Sequence, residues 1–462
     1  MKGLSIENIA KCCDGKYIGS KHLESREVES ISIDSREIGK DSLFIPIKGI
    51  RFDGHDAIEE VYKKGAICCL SEKELEDTQV PYILVKSTLQ ALKDIARFYR
   101  EFLSIKVVGI TGSVGKTSTK EMIASVVSRK FKTLKTQGNF NNEIGLPLTI
   151  FQLNEEHEVA VLEMGISDFG EMHELSKIAQ PDICVITNIG DCHLENLNDR
   201  FGVLKAKTEI FDFIQRDGSI VLNGDDVHLA SVTEQKGITP LFFGVEQKQM
   251  IKAVDFENKG LKGSVCKIVT LQKEFEVQIP IPGYHMVYNA LAAAAVGEIL
   301  GLSAKEIKAG IESLVPVGGR NNIIEADGIT IIDDCYNANP VSMKASLDVL
   351  AQAEGRKIAV LGDMFELGER ELQLHQECGR YAAEKGFDMI FCVGKLSEFM
   401  YKGALEVEEA KEKVFYIHQK EDLYAVLRDD LKENDTVLVK ASNGMKFAEV
   451  VNWLVNDFKK DF

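Results

Sequence analysis

KVVGITGSVGKTSTK, residues 106–120, is the stretch that decides how the rest of the chain folds. Val107, Val108 and Ile110 form a short apolar run, which predicts a buried strand. Beyond the following glycines the pattern becomes helical, with apolar residues three or four positions apart: Met122, Ile123, Val126, Val127 and Phe131. A strand, a glycine turn and a helix N-terminus predict a phosphate-binding loop, because backbone N–H groups and the helix dipole then face the anion.

The glycine spacing of this loop is the short form, Gly112-x-x-Gly115-Lys116-Thr117. The longer phosphate-loop consensus would place another glycine at position 110, where this chain has isoleucine. Lys116 supplies a positive charge for a nucleotide phosphate, and the Thr117 hydroxyl can hold Mg²⁺. The predicted nucleotide-binding residues are Gly112, Ser113, Gly115, Lys116, Thr117 and Ser118.

The composition is that of a globular chain with several domains. The 462 residues are 45% apolar and 27% charged, with a formal net charge of −17, which argues against nucleic-acid binding and against an anionic membrane surface. No apolar run approaches the length of a membrane span, and the N-terminus lacks the apolar core of a signal peptide. The ten cysteines include no C-x-x-C pair, which favours reduced thiols in a cytoplasmic protein.

We predict an α/β protein with three domains, at residues 1–86, 87–315 and 316–462. The first is a small α/β domain, and the second contains the phosphate loop in a mainly parallel sheet. The third alternates apolar runs with helical patterns, which predicts a doubly wound sheet. Its predicted strands are 329–332, 358–361, 389–393 and 437–439.

Polar side chains follow several predicted strands, where parallel sheets bind ligands. Glu163 ends one strand of the central sheet and would lie near Thr117, so it can complete a Mg²⁺ site. His193 follows the next strand. In the third domain four strands end on polar groups: Asp333 to Asn339, Gly362 and Asp363, Gly394 and Lys395, and Lys440 to Asn443.

Other candidates have two interpretations from the residues alone. The polar loop with Thr136, Asn139, Asn141 and Asn142 is either a plain turn or a substrate-binding segment. Ser35 and Arg36 lie in a polar turn, where an arginine can also meet a phosphate. By spacing alone, three lysines are solvated helix residues: Lys120, and Lys205 and Lys207 at the start of an amphipathic helix. Asn289 is a polar member of an alanine-rich helix, 284–300, that we expect in the core.

These motifs, in this order, resemble those of the Mur ligases, which form amide bonds in bacterial cell-wall precursors at the expense of ATP. The resemblance covers essentially the whole chain. Three motifs are shared across the superfamily: GSVGKTSTKE (112–121), LEMG (162–165) and HLE (193–195) followed by AKTEIF (206–211). Three others are more specific to one member: NFNNEIGLPLT (139–149), DDCYNANP (333–340) and LGDMFELG (361–368).

The resemblance implies how the residues divide the work. Lys116 and Thr117 would hold the phosphates of ATP and Mg²⁺, with Glu163 and His193 completing the metal sites. Lys207 matches a lysine that is carbamylated in many of these enzymes. Further positions match three ligand regions: Asn289, Arg320 and Asp334 for the nucleotide, Ser35 and Arg36 for uridine diphosphate, and Tyr336, Asn337 and Asn339 for the incoming amine.

The specific motifs imply a ligase with two small-molecule substrates, UDP-N-acetylmuramoyl-tripeptide and D-alanyl-D-alanine, acting as a monomer through an acyl phosphate. Alternatives are an amino-acid-adding relative, a folylpolyglutamate-type ligase, and a nucleotide-dependent switch without catalysis. The amino-acid-adding relative carries an aspartate-asparagine-proline-arginine motif in its last domain, and no such string occurs here. One departure from the family is Ala441, where glycine is more common.

Overall fold

The computed structural model describes residues 1–49 and 52–458. Their strands form three sheets of five, nine and six strands, which follow one another along the chain. The mixed α/β architecture with three sheet-containing domains confirms the predicted fold class. The predicted domain limits fall between the sheets, because the first sheet ends at Leu84 and the third begins at Asn322.

The first sheet has the order β1-β5-β4-β3-β2, in which only the pairing of β1 with β5 is antiparallel. Its strands are β1 (Lys16–Ile18), β2 (Ser30–Ser32), β3 (Ser42–Phe44), β4 (Ala66–Ser71) and β5 (Tyr82–Leu84). The helices of this part are α1 (Ile6–Cys12) and α2 (Ile58–Lys64), and α3 (Thr88–Phe102) leads to the second sheet. The strand β4 is buried along its whole length, which places it in the centre of the domain.

The first half of the central domain alternates strands and helices. Its elements are β6 (Lys106–Thr111), α4 (Lys116–Val127), β7 (Thr133–Lys135), α5 (Gly145–Ile150), β8 (Val159–Glu163), α6 (Glu171–Ala179), β9 (Ile183–Ile186), α7 (Leu194–Leu197) and α8 (Arg200–Thr208). The strand β6 lies between β8 and β9 and runs parallel to both. The loops that follow these three strands therefore meet at one edge of the sheet.

The second half extends the sheet and covers it. It contains β10 (Ser219–Asn223), β11 (Leu241–Gly244), β12 (Ile251–Asn258), β13 (Ser264–Val269), β14 (Glu274–Ile279), α9 (His285–Ile299) and α10 (Ala304–Glu312). The sheet order is β14-β13-β12-β11-β10-β9-β6-β8-β7, and its only antiparallel pairings are those of β13 with β12 and with β14. The alanine-rich α9 is buried from Met286 to Gly297 except at Tyr288, as predicted, and packs against α4.

The third sheet is doubly wound and mostly parallel, in the order β15-β16-β20-β17-β18-β19. Its elements are β15 (Asn322–Ala326), β16 (Ile329–Asp333), α11 (Pro340–Ala351), β17 (Lys357–Gly362), α12 (Glu371–Glu384), β18 (Met389–Val393), α13 (Ser397–Ala404), β19 (Val414–Ile417), α14 (Lys420–Asp430), β20 (Thr436–Lys440) and α15 (Ala448–Asn456). The four predicted strands are present. The sequence pattern missed both edge strands, β15 and β19, which are short and only partly buried.

Across the described ranges, no helix combines the length and apolar character that crossing a membrane requires.

Candidate active site

A cavity of about 930 Å³ lies between the edge of the central sheet and the third domain. The first turn of α4, the loop after β7 and the end of β8 line one side. The loop between β16 and α11 lines the other. The predicted site residues that this cavity brings together are Ser113, Gly115, Lys116, Thr117, Ser118, Asn139, Asn141, Asn142, Glu163, His193, Asn289, Arg320, Asp334, Tyr336, Asn337 and Asn339.

The phosphate loop has the geometry that its glycines predicted. Gly112 has φ +153°, and a Cβ there would lie 1.9 Å from Thr187 Oγ1. Gly115 is the N-cap of α4 at φ +81° and provides no side-chain cap for the helix. The first N–H groups of α4 therefore remain free to meet an anion. The Lys116 ammonium lies over the same loop and donates to the Gly112 carbonyl at 2.8 Å.

The loop is braced by the strand end of β9, a feature that the sequence pattern did not predict. Asn188 Oδ1 accepts from the Val114 N–H at 2.9 Å, and Asn188 Nδ2 donates to the Val114 carbonyl at 2.9 Å. Thr187 Oγ1 donates to the same carbonyl at 2.7 Å. Both residues follow a buried strand, so the rule that placed Glu163 and His193 at strand ends could have found them.

Glu163 faces Thr117, as predicted. The Thr117 hydroxyl donates to Glu163 Oε2 at 2.8 Å, and Asn141 Nδ2 donates to Oε1 at 2.8 Å. Thr136 is fully buried and does not line the cavity; its hydroxyl accepts from the Glu163 N–H at 3.0 Å. Thr136 thus fixes the end of β8, while Asn141 holds the carboxylate from the cavity side.

The expectation that Lys120 is a solvated helix residue is wrong. Lys120 is buried, and its ammonium donates to the Thr136 carbonyl at 2.7 Å. It lies 3.1 Å from a carboxylate oxygen of Glu121 and 3.9 Å from Glu163 Oε2. Spacing along α4 could not reveal this. A buried ammonium needs carboxylate partners, and one of the two, Glu163, comes from β8.

Lys205 and Lys207 lie at the C-terminal end of α8, not at the start of a helix as the pattern suggested. Lys205 is exposed as predicted, whereas Lys207 is buried, so the solvated interpretation is wrong for Lys207. Burial, and to a smaller extent the charge of Lys116, lower the pKa of Lys207 to about 7. A neutral amine beside the phosphate loop is therefore accessible near pH 7.

His193 lies near Lys207 and Lys116 and also contacts the third domain. Its Nδ1 lies 3.3 Å from Glu366 Oε2. Burial and the charge of Lys207 lower the pKa of His193, while Glu366 opposes that shift. Glu366 belongs to the LGDMFELG segment, which the resemblance singled out without giving any of its residues a role.

These donors suit Mg²⁺ at the β8 edge. A hydroxyl and a carboxylate from Thr117 and Glu163 already lie in contact, and oxygen donors are what Mg²⁺ prefers. In the described part of the chain, no group of three or more His, Cys, Asp or Glu side chains is placed to hold a metal without further ligands. The protein thus supplies a partial oxygen site, of the kind that takes its remaining ligands from water and substrate phosphates.

The helix α9 brings three side chains to the cavity. Asn289 Oδ1 accepts from the Thr119 hydroxyl at 2.9 Å, which links α9 to α4. His285 and Tyr288 line the cavity beside it and were missed. They lie four and one positions before Asn289. The spacing of four puts His285 on the same helix face as Asn289, but the apolar composition of the helix hid this signal.

In the third domain, Asp334 is buried and accepts from Lys440 Nζ at 2.6 Å. Arg320 stacks over the Tyr336 ring with its guanidinium carbon 4.0 Å from the ring centroid. Asn339 lines the cavity but also caps α11, since its Oδ1 accepts from the Ser342 N–H at 2.9 Å.

Ser35 and Arg36 do not line this cavity. They lie in the loop between β2 and β3, where the side chain of Arg36 is 84% exposed and bonds both carboxylate oxygens of Asp34. Gly112, Thr136 and Lys207 also lie outside the cavity lining, although each contacts or neighbours residues within it. The roles assigned to all of these residues stay predictions.

Three family models together match most of the chain. They are described as "Mur ligase family, catalytic domain" at residues 27–100, "Mur ligase middle domain" at 110–297, and "Mur ligase, glutamate ligase domain" at 319–443. The chain is 38% identical to the UDP-N-acetylmuramoyl-tripeptide–D-alanyl-D-alanine ligase of Bacillus subtilis, over 98% of both chains. It is 33% identical to the ligase of that name from Escherichia coli, over 92% of this chain and 94% of the relative.

Solved structures agree with these relatives. A crystal structure of MurF from Acinetobacter baumannii superposes with a TM-score of 0.89 at 32% identity, covering 98% of both chains. MurF ligase from Thermotoga maritima, in complex with ADP, gives a TM-score of 0.81 at 31% identity, covering 92% of this chain and 96% of that one. A folylpolyglutamate synthase of Mycobacterium tuberculosis shares the fold with a TM-score of 0.62 at only 16% identity.

Proposed function

The chain belongs to the Mur ligase family, and on that premise we propose that it is an ATP-dependent ligase. It joins D-alanyl-D-alanine to UDP-N-acetylmuramoyl-tripeptide during peptidoglycan precursor synthesis. The observation that carries this function is that the phosphate loop and the Asp334–Asn339 loop line the same cavity. It has room for a nucleotide on one side and an amine substrate on the other. Full-length relatives of that name at 30–38% identity support the choice of substrates.

The reaction requires two steps. An oxygen of the tripeptide's terminal carboxylate attacks the γ-phosphorus of ATP, and ADP leaves, which yields an acyl phosphate. The amine of the dipeptide then attacks the acyl carbon, loses a proton, and displaces inorganic phosphate. Neither step needs a covalent protein nucleophile. Catalysis is therefore expected to come from positioning the reactants and from neutralising the phosphate charge.

The residues of the phosphate side act on ATP. The free N–H groups of the first turn of α4 bind phosphate oxygens, and Lys116 supplies a cation within 2.8 Å of the loop backbone. Arg320 lies across the cavity, stacked on Tyr336, and offers a second cation to a phosphate. Asn289 and Asp334 line the same space and contact the rest of the nucleotide.

Thr117, Glu163, His193 and Lys207 would hold Mg²⁺. When bound, the metal neutralises negative charge on the transferring phosphoryl group. For Lys207 we propose carbamylation: the neutral amine adds CO₂ and releases a proton, which leaves an anionic carbamate with oxygen donors. The desolvated Lys207, whose pKa falls to about 7, supports this chemistry. Because a guanidinium cannot carry the carbamate, an active Lys207→Arg enzyme would contradict this role.

The other substrates meet different parts of the molecule. Tyr336, Asn337 and Asn339 receive the dipeptide, and their amides can donate and accept hydrogen bonds. The loop with Asn139, Asn141 and Asn142, anchored at Thr136, meets the tripeptide. Ser35 and Arg36 of the first domain bind the uridine-diphosphate end.

We also propose that the enzyme works in the cytoplasm as a monomer. All ten cysteines are unpaired and most are buried, which suits a reducing compartment. Size-exclusion chromatography with light scattering tests the monomeric state, and a dimer mass at micromolar protein would contradict it.

The test of the function is ADP release in the presence of ATP and UDP-N-acetylmuramoyl-tripeptide. We expect turnover with D-alanyl-D-alanine, and at least tenfold lower kcat/KM with D-alanine, L-lysine or D-glutamate. Full turnover with a single amino acid would instead indicate the amino-acid-adding relative. ATP hydrolysis that needs a protein partner and no small amine would indicate a nucleotide-dependent switch.

A further inference from the structure

Lys440 ends β20 at the cavity wall, and no role has been assigned to it so far. Only 1% of the residue is exposed. Its ammonium donates to Asp334 Oδ2 at 2.6 Å, to the Asn337 carbonyl at 3.2 Å and to the Asp334 carbonyl at 3.4 Å. An ammonium has three N–H donors. All three therefore go to a single loop, and none remains for a substrate.

The residues after Lys440 hold the same loop. Ser442 Oγ donates to the Ala338 carbonyl at 3.4 Å. Asn443 Nδ2 donates to the Tyr336 carbonyl at 3.1 Å. The segment 440–443 thus contacts four of the five residues between Asp334 and Ala338.

The loop needs such support because it has no regular secondary structure of its own. Between the end of β16 and the start of α11 its carbonyl groups lack strand or helix partners. Asp334 is also buried, with 9% of the residue exposed, and a buried carboxylate without a counterion is costly. Lys440 meets both requirements at once, since it pairs the carboxylate and bonds a backbone carbonyl three residues further on.

We propose that Lys440 is a positioning residue for the incoming amine substrate. It fixes the backbone of the Asp334–Asn339 loop, so that Tyr336, Asn337 and Asn339 face the cavity in one arrangement. The inference rests on the proposed function only in that this loop receives the amine. A loop free to shift by about 1 Å is expected to weaken recognition of that substrate by up to about 100-fold.

The chain offers a matched control at the other end of the same strand. Arg356 pairs with Asp435 at 3.0 Å just before β20 begins, and Asp435 is 1% exposed. Neither residue lines the cavity. Lys440→Met and Arg356→Met therefore each remove the cation that pairs with a buried aspartate in one domain, but only the first alters the loop.

The experiment measures thermal unfolding and the KM values of wild type, Lys440→Met and Arg356→Met. We expect both variants to be less stable than wild type. In Lys440→Met the KM for the amine substrate rises about 10- to 100-fold, while the KM for UDP-N-acetylmuramoyl-tripeptide stays within about twofold. In Arg356→Met both KM values stay within about twofold of wild type, because the lost ion pair lies away from the cavity.

Three results would overturn the proposal: an unchanged KM for the amine in folded Lys440→Met, an equal rise in Arg356→Met, or an equal rise for the tripeptide. If Lys440→Met does not fold, Lys440→Gln takes its place, because an amide retains donors for Asp334. Failure of both to fold would assign Lys440 to stability alone and overturn the proposal too. Wild type is first assayed with the dipeptide and with single amino acids. A preference for a single amino acid refutes the proposed function, and the variants are then compared with that substrate.

Discussion

At the scale of single residues, the phosphate side of the site brings basic side chains together in a chain whose net charge is negative. Lys116 lies over the loop backbone, and its charge adds to burial in lowering the pKa values of Lys207 and His193. Cations that lie near one another repel, and an anion that binds between them relieves the repulsion. The arrangement therefore favours a polyphosphate ligand.

We expect Lys116→Ala to lower kcat by about 100- to 1,000-fold, since it removes one charged contact to the transferring phosphoryl group. Steady-state ADP release measures this, and circular dichroism verifies folding. The matched control is Lys130→Ala, an exposed lysine just beyond the end of α4, which should retain activity. Near-normal turnover in folded Lys116→Ala would refute the role of the loop.

Lys207 gives a prediction about stability and pH in CO₂-free buffer. Its pKa is about 7 in the folded protein and about 10.5 in the unfolded chain, so the unfolded chain binds more protons between these values. Stability conferred by this site therefore rises with pH across that window, by at most about 1.4 kcal/mol per unit. Lys207→Met should remove the dependence, so its advantage over wild type is greatest below pH 7 and fades towards pH 10.

Chemical unfolding at pH 7, 8, 9 and 10 measures the difference. Lys205→Met, at an exposed position on the same helix, should show no such trend. A constant difference between Lys207→Met and wild type over the whole range would contradict a lowered Lys207 pKa.

The lysines of the site also show what residue patterns can and cannot predict. The chemistry of Lys116 follows from its neighbours in sequence, because glycines and a helix start define the cradle locally. The burial of Lys120 and Lys207 depends on groups from other elements, such as Glu163 at the end of β8. Only the resemblance to a family singled out Lys207. The polar strand end from Lys440 to Asn443 was recognised without a role for Lys440, and Lys120 was expected to be solvated.

At the scale of elements, the strand–loop–helix unit of β6 and α4 was predictable because its apolar period and glycines agree. Edge elements were not. The strand β19 has only four residues, all apolar, of which two are buried, one is half-buried and one is exposed. An apolar run this short cannot be told from part of a helix by its period. Ala441 fits after β20 because its neighbour at position 362 is glycine, where a Cβ would lie 2.7 Å from the Ala441 Cβ. A glycine on β17 thus accommodates the departure from the family pattern.

The loop itself gives a prediction about its turn. Gly112→Ala would place a Cβ 1.9 Å from Thr187 Oγ1, at a φ of +153° that residues with side chains rarely adopt. Thr187 would have to give up its bond to the Val114 carbonyl. We expect a loss of about 1–3 kcal/mol in stability and at least tenfold weaker ATP binding.

Isothermal titration with ATP and thermal unfolding measure both effects. The control is Gly190→Ala in the facing loop, where a Cβ would lie 3.6 Å from the nearest atom of Ser113, an ordinary contact. If Gly112→Ala binds ATP as wild type does, the close approach between the loop and Thr187 is not required for ATP binding.

At the scale of the whole molecule, the proposed ligands are assigned to different domains. The cavity joins the second and third domains, while the predicted uridine-diphosphate residues lie in the first, outside its lining. The fold class and the order of the domains could be read from the chain, because each domain has its own alternation of apolar runs. Which loops meet across the domains could not, since the contact of His193 with Glu366 joins residues 173 positions apart.

This separation gives the last prediction. Arg36 lies outside the cavity, so Arg36→Ala should raise the KM for UDP-N-acetylmuramoyl-tripeptide and leave the KM for ATP unchanged. Its side chain is 84% exposed and bonded only to Asp34 among the contacts described, so its loss should cost little stability. We expect a rise of about tenfold, as for a lost charged hydrogen bond of about 1.5 kcal/mol.

Initial rates with one substrate varied at a time separate the two KM values. Arg97→Ala provides the control, because Arg97 is an exposed arginine on α3 that pairs with Glu101 and does not line the cavity. Equal rises for both substrates in Arg36→Ala would indicate a general loss of structure. An unchanged KM for the nucleotide-sugar peptide would remove Arg36 from its binding site. The third domain and the phosphate loop could then recognise their ligands as proposed, but the first domain would have to bind uridine diphosphate through other residues.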